Sequence, residues 1–323
     1  MPFPQITGLR EFWAQQTGRA PLAPMTHDEQ VLLCLLGVGI EQTLMLLHRE
    51  RPEFDGFCHW VACEAGAPDP VEVARYNSWC AGESCPPEAA ARYAALAAMP
   101  AVLDDTDLRH WDDHGYVVLR AAISREAASA AAAVLWDYVA ASPADPESWY
   151  NPKARGLWIP LYHAPELAAA RQSLRVRKAF AQLHGTPHLW MLTDRTSFNP
   201  PERADAQFQG FPLHWDTSLT PPIPFGVQAI LYLTDTAADQ GALTVVPGFH
   251  RRIEAWLAGL GDTDPRAVDL TAEAVPIPAE AGDLIIWHQA LPHAATPNRA
   301  GLPRLAQYLT MLDGNAEDLR AWR

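Results

Sequence analysis

Charge is scarce in this chain of 323 residues, and it leans one way. Twenty-four Lys and Arg stand against 38 Asp and Glu, a formal net charge of −14. A chain this acidic repels phosphate polymers and anionic headgroups, so neither a nucleic acid nor a membrane surface is the expected partner. A local basic pocket would escape that argument. Long hydrophobic runs are missing too: the longest, Val31–Ile40, is about half of what a bilayer span needs. The first ten residues lack the basic-then-apolar layout of a secretory signal, which makes the cytoplasm the expected compartment. Cysteine is sparse and unevenly placed, with Cys34, Cys58, Cys63, Cys80 and Cys85 all in the first 85 residues. An odd count without an export signal points to reduced thiols. The two C-x4-C pairs are wider than the usual zinc knuckle, and no paired His follows, so small buried hydrophobes are the expected role.

What is present is enough apolar material for a core: hydrophobic residues make up 49% of the chain, which excludes disorder for its bulk. The texture changes near residue 100. Before it the chain reads helical. Thr26-His-Asp-Glu29 is a capping-box pattern leading into an apolar segment through Leu47, and shorter helices are expected at Val71–Trp79 and Pro87–Ala98. From Leu103 a helix over 104–113 stops at His114-Gly115, a strand follows at Tyr116–Leu119, and Ser124 can cap an Ala-rich helix to about Ala141. After His184 short β-type runs alternate with Pro- and Gly-rich turns: Leu189–Thr193, Val227–Leu233, Leu243–Val246, Asp283–Trp287 and Leu305–Leu312. That order points to a β-sandwich or jelly roll with flanking helices, an α+β architecture that is mainly β. The expected division is a helical extension over 1–100 and a jelly-roll domain over 101–323.

Of the twelve histidines, the informative ones have a partner at a useful spacing. In Leu213-His214-Trp215-Asp216 the His and Asp sit two apart. On an extended strand they project to one face, so an imidazole and a carboxylate can converge on one cation with Trp215 turned away. A second His would complete two His and one carboxylate, the facial triad that leaves positions open on non-haem Fe(II). His288 and His293 both lie near the strand Asp283–Trp287 and could supply it. Arg304, eleven residues past His293, opens the next strand. An arginine fork can bind both oxygens of a carboxylate held near a metal. The spacing would place ligand and arginine on neighbouring strands at one barrel mouth, although a turn-capping His293 and a surface-paired Arg304 fit it equally.

The stretch from about Leu103 to Leu312 resembles the phytanoyl-CoA dioxygenase family of Fe(II)- and 2-oxoglutarate-dependent oxygenases. The resemblance is carried by Trp111-Asp-Asp-His-Gly115-Tyr-Val-Val-Leu119, Asn199-Pro-Pro201, Pro212-Leu-His214-Trp-Asp216, Gly241-Ala-Leu-Thr-Val-Val-Pro247-Gly-Phe-His250, and Gly282-Asp283-Leu-Ile-Ile-Trp287 followed by His293, Asn298 and Arg304. It implies a double-stranded β-helix (jelly-roll, cupin-like) core. It also implies His214, Asp216 and His293 as iron ligands and Arg304 as the clamp for the distal carboxylate of 2-oxoglutarate. The eleven-residue separation of the family's last ligand from its arginine selects His293 over His288. The implied reaction consumes O2, releases succinate and CO2, and oxidises an unactivated C–H bond of a small organic molecule. A carboxylate at Asp216, rather than a small residue, argues against halogenation.

The departures concern helper contacts. Asn199 stands where many relatives carry Lys, Ala295 where they often have Ser, and Phe249 where a small hydroxyl residue is usual. A second polar contact to 2-oxoglutarate would then come from Thr193, Thr196 or Gln207. Trp215, Trp287, Phe211 and Phe225 are candidates for keeping the site dry, with core packing as the ordinary role of each. The loops Asn151–Trp158, Asn199–Phe211 and Thr217–Phe225 are expected at the entrance. Lys153, Arg155, Arg171, Arg175, Arg177 and Lys178 form the one dense basic stretch, either an acid-binding surface or a solvated helix face. Two other functions are carried: a jelly-roll metal enzyme that does not use 2-oxoglutarate, and an inactive relative that only binds a small molecule. Substrate and oligomeric state are left open.

Overall fold

A computed structural model describes residues 3, 5–208 and 210–315. The chain divides into two compact units. The first comprises Met1–Pro100, Phe180–Asp194 and Thr310–Glu317, and the second Ala101–Ala179 with Arg195–Leu309.

In the first unit lie α1 (Leu9–Gln16), α2 (His27–Leu36), α3 (Ile40–Arg49), α4 (Phe54–Ala65), α5 (Pro70–Cys80) and α6 (Pro87–Ala98). The Thr26 capping box is formed: the Thr26 hydroxyl accepts from Glu29 N, and Glu29 Oε2 accepts from Thr26 N at 2.7 Å. The helix expected from there to Leu47 is instead two helices crossing at 96°. Gly37 stops the first by taking a left-handed conformation (φ 69°), and Gly39 starts the second. The break lets both halves bury apolar side chains. Val31, Leu32, Leu33, Leu36 and Leu47 join Phe12, Phe57 and Trp190 in one core. Among the described residues no single helix is long and apolar enough to cross a membrane. All five cysteines are free thiols, and none joins a metal-capable cluster among the described residues.

The second unit opens with α7 (Asp105–His114), β1 (Tyr116–Leu119) and α8 (Arg125–Tyr138), close to the segments the sequence marks out. Gly115 ends α7 at φ 76°, where a Cβ would meet His250 Nδ1 at 2.5 Å, so this stop needs glycine. Next come β2 (Trp158–Ile159), α9 (Pro165–Gln172), α10 (Leu174–His184), β3 (Leu189–Asn199), β4 (Val227–Tyr232), β5 (Leu243–Val245), α11 (Ile253–Gly259), β6 (Val275–Pro276), β7 (Leu284–His288), β8 (His293–Ala295) and β9 (Arg304–Asp313). Six strands form a larger sheet in the order β1-β7-β4-β9-β3-β2, and three a smaller one, β6-β5-β8. The end of α10, the start of β3 and the end of β9 belong to the first unit.

Register decides what the larger sheet turns inward. Gln228 lies opposite Trp287, Ile230 opposite both Ile285 and Tyr308, and Tyr232 opposite Ala306, all in antiparallel pairs. Opposed residues share a face, and so do residues two apart on one strand. Gln228, Ile230, Tyr232, Trp287, Ala306 and Arg304 therefore point the same way. Most of that face packs with Leu243 and Val245 of the smaller sheet, and with Trp215, Phe249 and Leu291, in one core cluster. Helices plus two antiparallel layers over a shared core match the expected mixed architecture.

One expectation is corrected. His293 and Arg304 are not on neighbouring strands: β8 belongs to the smaller sheet and β9 to the larger. The turn between them is fixed by Asn298, fully buried, whose amide donates to the carbonyls of Asn199 and Leu302 at 2.8 Å each. It carries the chain from one layer to the other, so the two residues approach from opposite walls.

Candidate metal centre

His214 and His293 are tied by their backbones, each N–H donating to the other's carbonyl at 3.0 Å. This single bridge, rather than a regular strand, sets the ligand segment. Trp215 turns into the core, where its indole donates to the Ala290 carbonyl at 3.0 Å. Asp216 returns to the side of His214. One donor atom from each of His214, Asp216 and His293 lies within 4.8 Å of the others, the one such cluster among the described residues. Asp216 Oδ1 is 3.5 Å from His214 Nε2, and Oδ2 is 3.2 Å from His293 Nε2. His288 is not part of it. Its ring lies 5.4 Å from that of Phe225 and 5.4 Å from that of His250.

The donor set fits a cation. The Pro212 carbonyl accepts from His214 Nδ1 at 2.8 Å, and the Leu291 carbonyl faces His293 Nδ1 at 3.2 Å. Each ring thus has an oxygen acceptor on both sides, while a neutral imidazole carries one N–H. Protonating both nitrogens is disfavoured at His214, whose pKa is lowered first by burial and then by the His293 ring beside it. A metal at Nε2 resolves the conflict and leaves Nδ1–H for the carbonyl, the usual outer contact of a metal-bound histidine. At Asp216 partial burial opposes ionisation, yet hydrogen bonds from His293 and Gln228 outweigh it and hold the carboxyl below the usual carboxylate range. The Gln228 amide makes that contact at 2.7 Å to Oδ2.

The inner face of the larger sheet, which meets this cluster at Gln228 and Trp287, presents polar atoms with no hydrogen-bond partner among the described residues: Gln228 Oε1, Trp287 Nε1, and Nε, Nη1 and Nη2 of Arg304. Arg304 is 0% exposed. A buried guanidinium with all three nitrogens unanswered is costly, so this wall is suited to an anion with several oxygens. Trp287 also lies 5.2 Å, ring to ring, from His293.

The other proposed contacts are engaged elsewhere. The Thr193 hydroxyl donates to the Gly37 carbonyl at 2.9 Å, and that of Thr196 to the Ile159 carbonyl at 3.5 Å. The Gln207 amide donates to the Arg203 carbonyl at 2.9 Å, and the residue is exposed. Sequence reasoning missed Gln228, although a lone polar residue in Val227-Gln-Ala-Ile-Leu-Tyr was a usable signal. Of the four aromatics, Trp215 is core and Trp287 backs a ligand. Phe211 is 57% exposed, with its ring 6.1 Å from that of His214. Phe225 sits beside His288. The basic stretch is dispersed: Arg171 is buried and donates to the Tyr162 carbonyl, Arg175 donates to that of Arg120, and Lys178 is buried.

Over 198 residues the chain is 27% identical to Dioxygenase af480 of Aspergillus fumigatus, covering 58% of this chain and 60% of that one. It is 41% identical over 68 residues to the uncharacterized protein Rv1501 of Mycobacterium tuberculosis, 21% of this chain and 22% of that protein. The chain therefore spans less than two thirds of the length of these curated relatives. Among solved structures, the non-heme alpha ketoglutarate dependent carbocyclase SnoK from nogalamycin biosynthesis aligns at a TM-score of 0.49 and 19% identity, over 68% of this chain and 85% of that one. EctD from S. alaskensis with bound Fe aligns at 0.47 and 20%, over 65% and 77%. The model of the phytanoyl-CoA dioxygenase (PhyH) family matches residues 111–306, more than half of the sequence, and the chain belongs to that family.

Proposed function

We propose that the chain is a 2-oxoglutarate-dependent non-haem iron dioxygenase that oxidises a C–H bond of a small organic molecule. The carrying observation is the pairing of a His214–Asp216–His293 cluster with a fully buried, unanswered Arg304 on the facing sheet. A metal enzyme without a dicarboxylate cosubstrate has no use for that guanidinium. Family membership and a curated relative named as a dioxygenase support the same reading. The double-stranded β-helix belongs to it as well, because the chain passes repeatedly between the sheets: β4, β7 and β9 lie in the larger one, and β5, β6 and β8 in the smaller.

His214 Nε2, His293 Nε2 and the Asp216 carboxylate would hold the iron, and Arg304 the distal carboxylate of 2-oxoglutarate. Bound together, iron and 2-oxoglutarate supply oxygen activation, with succinate and CO2 as the products of the cosubstrate. The chain does the rest. Gln228 fixes the angle of the Asp216 carboxylate, and the carbonyls of Pro212 and Leu291 keep each Nδ1 protonated. Trp287 and Phe211 shield the ligands from water. The test is succinate release by the full chain supplied with Fe(II), 2-oxoglutarate and air, measured beside Asp216→Ala. Slow succinate formation that vanishes in the variant is expected. One metal bound per chain with no succinate from the wild type would sink the reading.

A further inference from the structure

The second unit carries an open cavity of about 610 Å³, within the range of sites for drug-sized ligands. Tyr150 and Phe208 give it aromatic surface, backed by the buried Trp149 and Phe198, and Arg155, Arg203 and Asp205 give it charge. Two of its edges run to the iron ligands. Leu157 lines the cavity, and the next residue, Trp158, lies 5.3 Å ring to ring from Phe211, which neighbours His214. Asn199 lines it too, and its amide donates at 3.0 Å to the carbonyl of Thr296, three residues past His293.

The two arginines are not equivalent. Arg203 lies 2.9 Å from Glu147 and 2.7 Å from Asp205 and stacks 3.7 Å over the Tyr150 ring, so its charge is met within the protein. Arg155 is exposed and has no acidic partner among the described residues. In a chain of net charge −14, a cation left uncompensated on an aromatic cavity selects against cations and for an anion. We infer that this cavity is the substrate chamber, and that it takes a free organic acid with an aromatic or similarly flat apolar body, its carboxylate on Arg155 and its body against Tyr150 and Phe208. This assignment rests on the functional reading above for the reaction, but the binding preference is independent of it.

The experiment titrates biphenyl-4-carboxylate and its uncharged analogue, biphenyl-4-carboxamide, into the full chain by calorimetry. Wild type, Arg155→Gln and Arg304→Met are compared. The acid should bind the wild type and lose about ten-fold in affinity in Arg155→Gln, while the amide is weak in both. Arg304→Met should retain the acid. Absence of binding, equal binding of acid and amide, or loss in Arg304→Met rather than Arg155→Gln would overturn the inference, the last by placing the acid in the cosubstrate position. A separate titration of 2-oxoglutarate into iron-loaded wild type reports on the functional reading alone: its failure removes the reaction but leaves the acid-versus-amide comparison to decide the cavity.

Discussion

Replacing Arg304 with methionine separates stability from binding and should move them in opposite directions. The side chain is fully buried, and none of its three nitrogens meets an acceptor among the described residues. A cation kept from water without a partner costs several kcal/mol, and substituting buried ionic groups with apolar ones of similar volume has stabilised proteins by about 1–4 kcal/mol. Arg304→Met, which keeps the unbranched stem, should therefore raise the stability of the ligand-free chain by about 2 kcal/mol. At about 2–4 °C per kcal/mol for a unit of this size, the melting temperature should rise by roughly 4–8 °C. The ligand response should disappear at the same time. Saturating 2-oxoglutarate at a hundred times its dissociation constant adds about 2.7 kcal/mol to a protein that binds it only when folded. The wild type should show that increment and the variant none. Thermal unfolding followed by circular dichroism, with Mn(II) under anaerobic conditions and with or without 2-oxoglutarate, measures both effects. If Arg304→Met melts below the wild type without ligand, the guanidinium is satisfied inside the fold and the argument for a cosubstrate anion fails. A variant that still gains the full ligand increment refutes the clamp.

Two further predictions concern the same unit. Gln228→Leu removes the 2.7 Å contact to Asp216 and should weaken Co(II) affinity about 10- to 100-fold with an unchanged far-ultraviolet spectrum; an unaltered isotherm would show that Asp216 needs no such support. His163 and His288 are both held down to about 4, His163 by burial and then Arg171, His288 by burial and then His250. Each is neutral in the fold and gains a proton on unfolding below about pH 6.5, so the stability they contribute is present above that pH and is lost as pH falls toward 4. The loss is up to about 3 kcal/mol per group before solvent screening reduces it. Melting temperature should decline across that window and decline less in His288→Asn, whereas identical profiles for the two proteins would contradict the assignment.

The reach of the sequence can be seen residue by residue. Thr26, Gly115 and Ser124 announce their helix ends because capping is local, a matter of three or four neighbouring residues. The His214–Asp216 pair is legible for the same reason, since its spacing is two. His293 and Arg304 needed the order of several motifs, and even then the sheet each belongs to was not recoverable, because that depends on where Asn298 anchors a turn. Gln228 escaped notice because its direction is set by pairing with Trp287, nearly sixty residues away. The split of α2 from α3 was hidden by uniform hydrophobicity: when every side of a segment is apolar, periodicity no longer marks where it bends.

Trp190 gives the division of the chain a practical meaning. It is 4% exposed and packs in the core of the first unit, 5.9 Å ring to ring from Tyr76 and 6.2 Å from Trp79, yet it lies on β3, whose far end is Asn199 in the second unit. Residue 100 is therefore a seam in composition and not a place to cut. A gene fragment starting there would encode Trp190 without the helices whose core it completes, and would leave an indole of this size bare to solvent and to other chains.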